Sequence, residues 1–310
     1  MSVAWNDEID SILVGDLTAA LGYRTPAGGT VVLAVAPIAL RDREAGTVGF
    51  TTSLGFSKKL DRIRSDPRVA LAFHVREHGF AESPRYVLVQ GRAHVVEAPS
   101  PEQRAEIERL ATRFLGPARH GVFWDRWLRE YYDVRVPVHV HVERIVTWPD
   151  LRCAGPAEVL GAPLPEGPPP TQPPPKNGTA PRVDAERAGR RLRATSHTLL
   201  GFAQADGYPL VVPVDVEHAH GAGVVLSAAP ALPAGGRRAG LLGHSYRPKL
   251  IGLEARQCTG WLEVGADGRG LYAPHAENGF KAPPNKTLLL LVNGFLAKRG
   301  VRRARRAGTG

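Results

Sequence analysis

The stretch from Gly46 to Phe73 holds the residues best suited to chemistry. Thr51 and Thr52 close an apolar run, and Ser57, Lys58 and Lys59 follow a few residues later. Leu60 and Ile63 then share one face of a short helix. Asp66-Pro67 stops that helix, because the proline ring pushes the residue before it out of the helical region. Ser57 suits the N-cap, which puts both lysines in the first turn. Cations there oppose the positive end of the helix dipole. They make sense if an anion sits between the two ammonium groups and the free backbone N–H groups. With three hydroxyls as further donors, the combination suits the phosphate of a nucleotide-like cofactor. The same residues also fit a solvated basic turn.

The elements that carry this seat read as strand, hydroxyl-rich loop, short basic helix and strand. In that order they resemble the flavin-binding split β-barrel superfamily, the pyridoxamine-phosphate-oxidase-like proteins and their deazaflavin-using relatives. The resemblance lies in Phe50-Thr51-Thr52, Ser57-Lys58-Lys59, Asp66-Pro67-Arg68-Val69 and the later step Gln90-Gly91-Arg92-Ala93, and it covers about residues 11–150. It implies a mainly β fold with flanking helices and hydride transfer between a cofactor and a small organic substrate. The implied cofactor is FMN, with a deazaflavin as the alternative and haem after it. A flavin- or haem-binding carrier or sensor without turnover is the alternative function. Ser57, Lys58, Lys59, Thr51 and Thr52 would hold the phosphate, and Gly49 and Phe50 would pass close to the ring. No residue stands out as a general acid or base, which suits chemistry centred on a cofactor.

Other constellations point less far. His139, His141 and Glu143 share one face of an alternating strand through Val134–Val142, whose valines form the buried face. Pro137 places that strand near a sheet edge. His218 and His220 read as residues of a hairpin turn. Trp261, Tyr272 and His275 either stack on a flavin ring or belong to the core. The glycine-rich basic run Gly235–Pro248, with Arg237 and Arg238, either closes over an anionic cofactor or forms a helix weakened by Gly240 and Gly243. Hydrolase, zinc-protease and P-loop motifs do not occur.

The chain has 310 residues, 43% of them hydrophobic, and a formal charge of +10. Two domains of ordinary size fit that length. With no long apolar run, no membrane span is expected. The N-terminus reads as lacking a signal region, and Cys153 and Cys258 are too few for a disulfide framework, so a cytoplasmic location is expected. Residues 161–310 carry the whole net charge, with six positives between Lys298 and Arg306. No aromatic residue interleaves that tail, so a solubilising segment is expected rather than a nucleic-acid arm.

Residues 161–182 are rich in proline and read as a linker. It separates a cofactor-binding split barrel (1–160) from a second, diverged one (183–297), followed by the basic tail (298–310). The halves echo one another: Leu21-Gly22-Tyr23 and Leu200-Gly201-Phe202, Ala45–Val48 and Ala222–Val225, Lys58-Lys59 and Arg237-Arg238, Gly91 and Gly260. Tandem copies make the groove between two barrels either within one chain, as an internal pseudo-dimer, or between chains of a homodimer. Ser227-Ala228 replaces Thr51-Thr52, so the second seat has lost donors. In the first half a helix is expected over about 7–21, a strand at Val31–Ala36, a capping box opening a helix at Ser100-Pro101, and a short helix holding Trp124, Trp127 and Leu128. In the second, a helix is expected over about 184–199, with strands near 208–216 and 223–228.

Overall fold

A computed structural model describes residues 3–54, 56–117, 135–283 and 285. The expected helix around Trp124 and the basic tail lie outside these. Two antiparallel sheets make up most of the fold. The first half gives α1 (Asp7–Gly15), β1 (Ala19–Arg24), β2 (Thr30–Val35), β3 (Arg41–Asp42), β4 (Thr47–Ser53), α2 (Ser57–Ser65), β5 (Arg68–Phe73), β6 (Tyr86–Val95), α3 (Pro101–Leu115), β7 (Arg135–Trp148) and β8 (Glu158–Gly161). The second gives α4 (Ala185–Arg193), β9 (His197–Ala203), β10 (Pro209–Pro213), β11 (Asp215–His220), β12 (Gly223–Ser227), β13 (Gly235–Ser245), β14 (Glu254–Val264) and β15 (Gly270–Lys281). The strand orders are β2-β1-β5-β6-β7-β4-β3 and β10-β9-β13-β14-β15-β12-β11, the same path twice. The first sheet curls until the end of β2 meets β4 through a single bridge, Ala36 to Thr51. The fold is therefore a tandem pair of split β-barrels with flanking helices.

Register shows the repeat residue by residue. Gly22 lies opposite Ala70, and Gly201 opposite Gly240. Both copies carry a bulge, before Gly91 and before Gly260. One expected correspondence fails. Lys58-Lys59 lie on α2, whereas Arg237-Arg238 lie on β13, the counterpart of β5. The second copy has no helix between β12 and β13, so its basic pair arises from the strand that follows. Gly235–Ser245 is a strand, not a weakened helix, because pairing with β14 along its whole length and with β9 over its second half outweighs local propensity.

Alternation within β1, β5, β9 and β13 explains how the barrels meet. Leu21, Tyr23, Val69 and Leu71 point into the first barrel's core with Phe50, Val87 and Val138. Their neighbours Ala20, Ala70 and Ala72 face the other way and pack with Leu199, Val211 and Leu242 of the second half. The glycines of the repeated Leu-Gly-aromatic motif sit at this contact. A Cβ on Gly201 would lie 2.3 Å from Val32 Cγ2, and one on Gly22 would lie 2.8 Å from Val211 Cγ2. Small residues on that face let the two sheets approach closely. Polar bonds add to the contact: Tyr86 Oη donates to the Val211 carbonyl (2.6 Å), and Gln90 Nε2 to the Pro209 carbonyl (2.6 Å).

Three further expectations need correction. α1 ends at Gly15, and Leu21 belongs to β1, since Asp16 turns extended and the chain enters the sheet. β7 is an interior strand between β6 and β4; Pro137 is tolerated because β6 ends at Val95, opposite Val138. His218 and His220 lie on β11 with stacked rings (centroids 5.8 Å apart) rather than in a turn. The alternation along β7 is as expected, with Val136, Val138, Val140 and Val142 buried. The Ser100 capping box is present. The proline-rich segment is pinned to both barrels: the Gln172 backbone N–H donates to the Gly236 carbonyl (2.8 Å), and its Nε2 to the Gly28 carbonyl (3.0 Å). No helix among the described residues is long and apolar enough to cross a membrane.

Candidate functional site

The cleft of interest opens where the first barrel is split and the second barrel faces it. Thr51 and Thr52 at the end of β4, Ala34–Ala36 at the end of β2, Phe56 and Lys59 around the start of α2, and Arg135 at the start of β7 form one side. Leu250 and Leu253, after β13, form the other. Its volume is about 220 Å³.

The polar end is built by three elements. Ser53 pairs with Arg135 across β4 and β7, which sets the guanidinium beside the hydroxyls. Arg135 Nε donates to Thr51 Oγ1 (2.9 Å), and Lys59 Nζ donates to Thr52 Oγ1. The Lys59 ammonium also lies 5.0 Å from the centre of the Phe56 ring. Leu60 and Ile63 are buried and anchor α2, so Lys59 is held toward the cleft. Burial, and then the positive Arg135, push the Lys59 pKa down to about 8. Two cations thus share a confined site with hydroxyl donors, an arrangement that favours an anion. The opposite wall offers only apolar surface.

Several expected site residues lie elsewhere. Ser57 is the first helical residue, not the N-cap; Phe56 precedes the helix without a side-chain cap, and its carbonyl accepts from Lys59 N–H (3.0 Å) and Leu60 N–H (3.2 Å). Ser57 and Lys58 are exposed and do not line the cleft. Phe50 is fully buried in the first barrel's core, and Gly49 packs against β7 and Leu40. Arg237 is 1% exposed, inside the second barrel, with its guanidinium 5.6 Å from the Phe202 ring centre. Arg238 lies 5.9 Å from the Trp261 ring centre. Trp261 and Tyr272 belong to the core. His139, His141 and Glu143 keep to the more exposed face of β7, and no group of three metal-ligating side chains is found among the described residues. Arg135, Leu250 and Leu253 went unnoticed in the sequence. Arg135 reads there as one polar member of an alternating strand, and only the β4–β7 register brings it to Thr51.

The barrel repeat places a counterpart cleft on the other side of the contact, lined by His74, Glu77, His197, Pro213, Val214 and Asp215. Leu151 and Arg152 also line it, and Arg152 pairs with Asp215 (2.5 Å). Between the clefts the equivalent residues His74 and His244 meet directly, Nε2 to Nε2 at 2.7 Å. His74 Nδ1 contacts the Ala72 carbonyl (3.0 Å) and must donate to it, so His74 Nε2 accepts from His244 Nε2–H. Burial above all holds both imidazoles neutral, His74 down to about 3 and His244 well below the usual range. A histidine whose pKa is depressed on folding contributes stability above its unfolded value of ~6.5 and loses it as pH falls toward the folded value. Each such residue should cost about 1.4 kcal/mol of stability per pH unit below ~6. Denaturant titrations from pH 7 to 4.5 should show this decline, and His74→Leu/His244→Leu should flatten it.

No protein-family model and no curated protein matches the chain. Solved structures similar to it include a conserved hypothetical protein from Mycobacterium tuberculosis (22% identity over 49% of this chain and 89% of that one, TM-score 0.36). An F420 reductase is 22% identical over 44% and 94% (TM-score 0.33). A pyridoxamine 5'-phosphate oxidase-related, FMN-binding protein from Nostoc punctiforme is 12% identical over 46% and 80% (TM-score 0.29). Each spans about half of this chain.

Proposed function

We propose that the chain binds a flavin-type cofactor, FMN or a deazaflavin, in the inter-barrel cleft, and that it is an oxidoreductase acting on a small organic substrate. The observation that supports this best is the pairing of Lys59 and Arg135 with Thr51 and Thr52 at one end of a cleft whose other wall is apolar. Lys59 and Arg135 would take the phosphate, and the two threonine hydroxyls orient both cations toward it. Leu250 and Leu253 would cover part of the ring system and exclude water from one side. The volume suits the anionic end of such a ligand, with the rest extending along the leucines. When bound, the cofactor supplies the redox chemistry and the chain supplies binding and orientation.

The site is expected once per chain. The second barrel has Ser227 and Ala228 at the threonine positions and lacks an equivalent of α2, and the counterpart cleft is lined by the paired Arg152. Calorimetric titration with FMN and with a deazaflavin should give one equivalent for whichever binds. Two equivalents would mean that the second cleft is functional; no binding of either would sink the reading. Many turnovers of an added acceptor, with excess chemical reductant re-reducing the bound cofactor after each oxidation, then separate an enzyme from a carrier.

A further inference from the structure

A third cavity, sharing no residue with either cleft, lies where three parts of the chain meet. Thr25 and Thr30 come from the β1–β2 hairpin, Lys176 and Arg182 from the proline-rich segment, and Arg238 and His275 from the second barrel. Its volume is about 430 Å³, and no carboxylate lines it. Among the described residues none of its three cations is in an ion pair. Arg238 Nη1 donates to Gln172 Oε1 (3.3 Å) and Arg182 Nη2 to the Gly178 carbonyl (3.3 Å), both neutral acceptors. The segment carrying Lys176 and Arg182 is held in place by Gln172 and by the Arg182 backbone N–H, which donates to the Pro274 carbonyl (2.9 Å).

One observation beside the three cations points to a ligand. The Thr30 hydroxyl is buried and has no hydrogen-bond partner among the described residues, although Thr30 is only 1% exposed and lines this cavity. Leaving such a group unsatisfied is costly. His275 reports the local field: burial first, then Arg182 and Arg238, hold its imidazole toward the neutral form. The chain's own residues 286–310 contain no Asp or Glu and carry the same sign of charge as the cavity, so they do not complement it. Three cations around one cavity match a dianion, and guanidinium groups match phosphate oxygens in particular.

We propose that this junction binds a small phosphorylated molecule, with Lys176, Arg182 and Arg238 as its cations and the Thr30 hydroxyl as a neutral donor. The proposal does not depend on the cofactor reading.

Inorganic phosphate, titrated into the isotope-labelled full chain at constant ionic strength with chloride as control, tests it by NMR. Saturable shifts at the Gly29 and Gly260 amides and an upward move of the His275 pKa are expected. Lys176→Gln/Arg182→Gln, both exposed positions, should weaken binding at least about tenfold, and Lys176→Arg/Arg182→Lys should restore it. Lys59→Gln should leave the Gly29 and Gly260 shifts unchanged. Shifts no larger than those with chloride, an unaffected Gln variant, or loss of these shifts in Lys59→Gln would each overturn the proposal.

Discussion

Arg144→Ala is expected to lower the unfolding free energy by about 3–5 kcal/mol, the range for removing one partner of a buried ion pair. Arg144 is 3% exposed and sits on β7 of the first barrel. Its guanidinium donates to Gln90 Oε1, to the Pro163 carbonyl (2.7 Å) and to Asp206 of the second barrel. It also lies 5.1 Å from the Tyr208 ring centre. One side chain therefore ties together a strand, the start of the linker and the facing barrel, and its loss leaves Gln90 Oε1 and Asp206 Oδ2 without their donor. Asp206→Asn should cost less, because an asparagine oxygen can still accept from the guanidinium, which keeps its bonds to Gln90 and the Pro163 carbonyl, although its counter-charge is gone. Urea unfolding of both single variants and the double variant checks this. The cycle should show coupling, since the two residues touch. If Arg144→Ala costs under about 1 kcal/mol, the pair is not a structural tie.

The second large effect concerns Lys59. Lys59→Glu should abolish retention of the cofactor, whereas Lys58→Glu should change affinity by less than about threefold, a surface-charge effect. Lys59 shares the cleft with Arg135, and Lys58 points to solvent. The lowered Lys59 pKa of about 8 adds a pH signature. Binding to the ammonium form should weaken about tenfold per pH unit above that value, as the free protein loses the proton. Affinity at pH 7, 8 and 9, compared with Lys59→Arg, measures it: arginine stays charged and should remove the dependence.

The fold was more legible than the site. Leu21-Gly22-Tyr23 and Leu200-Gly201-Phe202 could be matched because the same packing demand acts twice: a large residue on each side for the barrel's own core, and a glycine for the other barrel. The valine alternation before Glu143 and the Ser100 capping box are local signals and were readable as such. Helix chemistry and the family resemblance both point to Ser57 and Lys58 together with Lys59, and neither separates the two lysines. Which lysine faces the cleft depends on how Leu60 and Ile63 dock α2, a tertiary fact. Arg135, Leu250 and Leu253 reach the cleft through strand register and barrel apposition, which leave no mark on nearby sequence. The Arg237-Arg238 match follows the order of the repeated motifs, and the missing helix in the second copy makes it coincidental.

The central claim is that Lys59 and its neighbours hold a flavin-type cofactor between the barrels. The most direct test is the absorption spectrum of the purified full chain, alone and after adding FMN, a deazaflavin or haem, repeated with Lys59→Glu and Lys58→Glu. A retained flavin-type spectrum that survives in Lys58→Glu and disappears in Lys59→Glu is the predicted result. A haem band instead, a colourless protein that takes up none of the three, or a flavin signal indifferent to Lys59 would contradict it.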